Sequence, residues 1–87
     1  EDEKRVYWII DDAPSVEDRL ITEQNLAQLL KHIKKLKPHH QHIIQLRFFK
    51  ELSYLEISKK TGIPINNVKV KLLRAKKTLA SIIKHKR

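Results

Sequence analysis

From Ser15 onward the apolar residues recur three and four apart, the spacing that places them on one face of a helix. Ser15 followed by Glu17 and Asp18 supplies an N-cap and first-turn acids, and Leu26, Leu29, Leu30, Ile33 and Leu36 continue at helical spacing. A first helix is therefore expected to begin after Ser15 and to end near Lys35. Pro38 cannot continue a helix but can start one, which predicts a second helix from Pro38 to Phe49 burying Ile43, Leu46 and Phe49. Ser53-Tyr54-Leu55-Glu56 has the spacing of a capping box and opens a short third helix. Gly62, the one glycine of the chain, ends it, and Ile63-Pro64 turns the chain sharply. A stripe of Val68, Leu72, Ala75, Leu79, Ile82 and Ile83 then predicts a fourth helix of about five turns. The expected fold class is all-α: a four-helix domain ending in a helix-turn-helix with a long C-terminal recognition helix.

Composition narrows the function. A chain of 87 residues has room for one small core, too narrow to surround a large cofactor, so none is expected. With no cysteine there is no disulfide framework, thiol nucleophile or cysteine-bearing zinc site. The longest apolar run, Val6-Tyr7-Trp8-Ile9-Ile10, is too short to cross a bilayer and no signal segment opens the chain, so a cytoplasmic location without membrane contact is expected. Residues 1–14 read as a linker, extended or partly disordered, and residues 15–87 as the domain. The chain starts at Glu1 and is expected to be a fragment of something longer. Trp8 with Tyr7, Ile9 and Ile10 either folds back on the domain or docks on a partner.

Charge changes the picture most. Residues 1–25 hold eight acids against three bases, a net of −5, whereas residues 26–87 hold 16 bases against only Glu51 and Glu56, a net of +14. So basic a body attracts a polyanion, and nucleic acid is the commonest one in the cytoplasm; an anionic membrane surface is the competing target.

A short capped helix, a tight glycine turn and a long basic helix match the helix-turn-helix arrangement, with Ile57, Ile63 and Val68 placed to lock the two helices together. On a helical wheel Val68 and Leu72 lie near one pole, and Asn66, Val70, Leu73, Arg74 and Lys77 cluster around the other, which is expected to read DNA. Arg74 can donate two hydrogen bonds to a guanine edge. Asn66 or Asn67 can pair with adenine or, equally, cap the helix. Lys69 and Lys71 flank this face, where a flexible point charge suits phosphate better than a base edge. Val70 and Leu73 stand outside the core stripe and need a cover: thymine methyl groups, a protein partner or a second copy. His39, His40 and His42 invite a metal reading, yet no carboxylate or cysteine accompanies them; they are expected to line a helix start beside phosphate or solvent. Ser53 and Thr61 have no base and orienting group beside them, so no catalytic residue is expected and the chain is read as a non-enzyme.

Residues 43–80 resemble the promoter-recognition domain of bacterial sigma factors, most closely domain four of the extracytoplasmic-function group. The resemblance rests on Leu36-Lys37-Pro38, Leu46-Arg47-Phe48-Phe49, Leu52-Ser53-Tyr54-Leu55-Glu56-Ile57, Gly62-Ile63-Pro64 and Val68-Lys69-Val70-Lys71-Leu72-Leu73-Arg74-Ala75-Lys76, ordered elements at fixed spacing. It implies binding of the minus-thirty-five promoter element and of the β-subunit flap of RNA polymerase core, masking by an anti-sigma factor, and a linker role for residues 1–14. The sequence departs from the family at Glu51, where glycine is frequent, at Ser58, usually alanine, and at Asn66-Asn67, often Gly-Thr. Val70 and Leu73 replace residues that are often polar or aromatic in the family. Two competing readings are a stand-alone helix-turn-helix regulator, which should dimerise on a palindrome, and a protein-binding module that ignores DNA.

Overall fold

A computed structural model of the chain describes residues 15–85. The linker expected over residues 1–14, and the placement of Trp8 and its apolar neighbours, lie outside the described residues. Five α-helices are described: α1 (Val16–Thr22), α2 (Leu26–Ile33), α3 (Pro38–Ile44), α4 (Tyr54–Thr61) and α5 (Ile65–Lys84). No strand occurs among the described residues.

The first expected helix is two helices. Ser15 caps α1 as anticipated, its hydroxyl accepting from the Asp18 amide while the Asp18 carboxylate accepts from the Ser15 amide at 2.8 Å. The helix stops at Thr22, and Asn25, in extended conformation, caps α2 by accepting from the Gln28 amide at 2.9 Å. An asparagine cap thus restarts the chain where neither glycine nor proline marks a break. The turn after α2 is held by Gln41, which donates to the Leu36 carbonyl at 2.7 Å from within α3.

Pro38 occupies the first turn of α3, and beyond Ile44 the helix widens into a π-turn over Gln45–Phe49. The Lys50 amide donates to the Gln45 carbonyl at 3.0 Å and that of Leu52 to the Leu46 carbonyl at 3.1 Å. Widening advances the register, so Phe49, expected in the core, is 39% exposed and Phe48 packs against the core instead. Glu51 leaves this turn with φ +56°, the left-handed conformation that favours glycine.

The core forms around α5, against which α1, α2, α3 and α4 all pack. Ile21, Ile33, Ile44, Ile57, Val68, Leu72 and Leu79 are fully enclosed, each contributing about 1.5–3 kcal/mol by burial. Val68, Leu72, Ala75 and Leu79 are the predicted stripe, and Ile82 and Ile83 extend it as half-buried contacts. Because one side of α5 is consumed in this way, its other side is left to solvent over a helix about 30 Å long. No helix among the described residues is long and apolar enough to cross a membrane.

Candidate nucleic-acid interface

The turn between α4 and α5 sets the angle at which α5 is offered. The Ser53 hydroxyl accepts from the Glu56 amide at 3.1 Å and the Glu56 carboxylate accepts from the Ser53 amide at 2.8 Å, the reciprocal box expected from the sequence. At the other end Gly62 adopts φ +77°, ψ +5°, and its amide donates to the Ser58 carbonyl at 2.8 Å. Two side chains then latch the turn. Ser58 donates to the Ile63 carbonyl at 2.6 Å, and Thr61 donates to the Ile57 carbonyl at 2.7 Å while accepting from the Ile63 amide at 3.2 Å. Ser58 thus satisfies a carbonyl at a bend where the helical ladder is interrupted. Ile57 and Val68 are fully buried and Ile63 packs against the core, so the lock expected from these three residues is present.

Beneath α4, Arg47 donates to the Leu52 carbonyl at 2.8 Å and its guanidinium lies 5.0 Å from the centre of the Tyr54 ring. These contacts fasten the start of the motif to the π-turn and draw Arg47 into supporting the fold rather than into the exposed face.

On α5 the structure brings Asn66, Asn67, Val70, Leu73, Arg74 and Lys77 to the exposed side, with Val70 42% and Leu73 45% exposed. Lys69 and Lys71 are half-buried on its flanks. The choice left open for the asparagines is narrowed, because the N-cap is Pro64 and no side chain caps α5. Asn66 and Asn67 therefore point their amide groups into solvent at the helix start, the part of a recognition helix that reaches base edges.

Lys76, close to Arg74 in sequence, is not part of this face. Its ammonium bonds the Asp18 carboxylate of α1 at 3.1 and 3.3 Å, and the two side chains are 7% and 13% exposed. Burial pushes the Asp18 carboxyl up, but the Ser15 amide, the bond from Lys76, the Ser15 hydroxyl and the nearby Lys76 charge outweigh it and hold the group below the usual carboxylate range. The ion pair pins α1 against the recognition helix; no sequence pattern links positions this far apart, so sequence reasoning missed it.

On another side of α5, the start of α3 adds charge. His40 is half-buried, its ring 4.4 Å from that of His39 in an edge-on arrangement. Burial, then the charges of His39, Lys37, Lys71 and Arg74, hold its imidazole below the ordinary histidine range. No cluster of histidines and carboxylates able to hold a metal ion occurs among the described residues.

A rigidly presented, basic helix face with a few apolar residues fits the major groove of a duplex, which admits one helix and presents thymine methyl groups beside hydrogen-bonding edges. Comparison with known proteins converges on the same function: the family model for sigma-70, region 4, matches residues 26–79, from the start of α2 to within the last two turns of α5. Nothing among curated proteins or solved structures matches the chain.

Proposed function

The chain belongs to the sigma-70 region 4 family, a DNA-binding module for the minus-thirty-five promoter element, and on that premise we propose that it is domain four of an extracytoplasmic-function sigma factor. In this role it directs RNA polymerase core to a promoter by placing α5 in the major groove, and it meets the β-flap of the polymerase. The observation that carries the reading is the exposed face of α5, locked at a defined angle by the Gly62 turn. Arg74 reads a guanine, Asn66 and Asn67 meet adenine edges, and Val70 and Leu73 cover thymine methyl groups. Lys69, Lys71 and Lys77 hold phosphates.

The test is affinity for matched and single-mismatch duplexes at several salt concentrations. Arg74→Ala should lose about 1–3 kcal/mol on the matched duplex and blunt discrimination at one base pair. Lys69→Ala and Lys71→Ala should weaken every duplex alike, each lowering the salt slope by about one unit. If none of the three alters binding, α5 is not the recognition helix. A dimer bound to a palindrome would replace the sigma-factor reading with that of a stand-alone regulator.

The exposure of Val70 and Leu73 also supports masking by an anti-sigma factor when the domain is off DNA. A pull-down in which Leu73→Asp still captures that partner would reject this surface.

A further inference from the structure

Five groups that carry or can acquire positive charge converge where the start of α3 meets α5: Lys37, His39 and His40 from one side, Lys71 and Arg74 from the other. Among the described residues every charge acting on His40 is positive. Residues 26–87 contain only two acids, and one of them, Glu56, is committed to capping α4. Like charges gathered without a counter-ion weaken the folded state, and the arrangement is relieved when an anion occupies it. The two histidine rings are in contact at 4.4 Å, and His40 is held in place by partial burial rather than waving in solvent. Among the described residues no hydrogen bond to the protein occupies either imidazole, so ring nitrogens are available to a ligand.

We propose that His40, supported by His39 and Lys37, is a backbone clamp that grips a phosphate of the duplex beside the groove entered by α5, taking up a proton as it does so. The inference rests on the reading of α5 as the recognition helix, because Arg74 and Lys71 connect the clamp to that face. A phosphate oxygen is an acceptor only, so the imidazole must present N–H to it, and the protonated ring adds a charge-assisted bond. In the free protein, burial and then the charges of His39, Lys37, Lys71 and Arg74 oppose protonation of the ring. An arriving phosphate screens those charges and stabilises imidazolium, so the bound state holds the proton more tightly than the free state. Affinity must then rise as pH falls through the interval between the two states, by up to about tenfold per pH unit for one proton.

The experiment measures binding of the 87-residue chain to a random-sequence duplex from about pH 5.5 to pH 8 at fixed ionic strength, since a backbone contact ignores sequence. Proton uptake is read by calorimetry in two buffers of different ionisation enthalpy. Wild type should bind more tightly at low pH and take up a proton, whereas His40→Gln should show a flat profile. His42→Gln, an exposed change on the same helix, should keep the wild-type slope. His40→Arg, permanently charged, should bind tightly at every pH and so distinguishes loss of the clamp from loss of the fold. A wild-type profile independent of pH, or a slope that survives His40→Gln, would overturn the assignment while leaving base recognition by α5 standing. If no duplex binds at any pH, both the clamp and the recognition-helix reading fail together.

Discussion

Replacing Asp18 by alanine tests how α1 is joined to the recognition helix. The change removes two things at once. The carboxylate accepts from the Ser15 amide at 2.8 Å and the Ser15 hydroxyl at 2.9 Å, and losing that half of the capping box costs about 1 kcal/mol. It also leaves the Lys76 ammonium, 7% exposed, without its partner at 3.1 Å. Breaking a fully buried pair from one side costs about 3–5 kcal/mol, and this pair retains some solvent, so about 2–3 kcal/mol is expected. Asp18→Ala should therefore destabilise the domain by about 3–4 kcal/mol, lowering the melting temperature by about 15 °C or more. Lys76→Met removes the stranded charge and leaves Asp18 its Ser15 partners, so alone it should cost about 1 kcal/mol. The double variant should be more stable than Asp18→Ala, with a coupling of about 2 kcal/mol. Urea unfolding followed by helical circular dichroism measures all three. If the double variant instead falls by the sum of the single losses, the pair does not hold α1 in place.

Other perturbations have equally definite outcomes. Because Asp18 ionises below its ordinary value when folded, its stabilisation should be complete above about pH 4 and lost as pH falls below that; Asp18→Asn should flatten acid unfolding in this range. Glu51→Gly relieves a left-handed backbone and should raise stability by about 0.5–1 kcal/mol in urea, while a loss would mean that the Glu51 side chain contributes a stabilising contact. Apart from Gly62 and its two chain neighbours, nothing lies within 4 Å of a Cβ placed there, so Gly62→Ala should cost only the conformational penalty of φ +77°, about 1–2 kcal/mol by thermal melting. Leu73→Asp should leave the melting temperature nearly unchanged, since the side chain is 45% exposed, yet weaken duplex binding more than tenfold; equal binding would remove Leu73 from the DNA face.

What the sequence determined by itself was local. The Ser15 N-cap, the Ser53 capping box, the Gly62 turn and the alternation of core and exposed positions along α5 depend on residues within four of one another, and each is legible in the order of residues alone. Tertiary packing decided the rest. The predicted first helix divides at Thr22 because Asn25 caps a new one, which lets Ile21 and Leu29 both reach α5, while periodicity alone passes smoothly across the break. The π-turn before Lys50 exchanges Phe49 for Phe48 at the core, a shift that a 3.6-residue pattern does not encode. Lys76 meets Asp18, 58 positions away, only because the fold brings α1 against α5. His40 likewise becomes a neighbour of Arg74 only when α3 packs on α5. Helical period and caps are set by short-range sterics and hydrogen bonds; which charges meet is set by how the helices share one core.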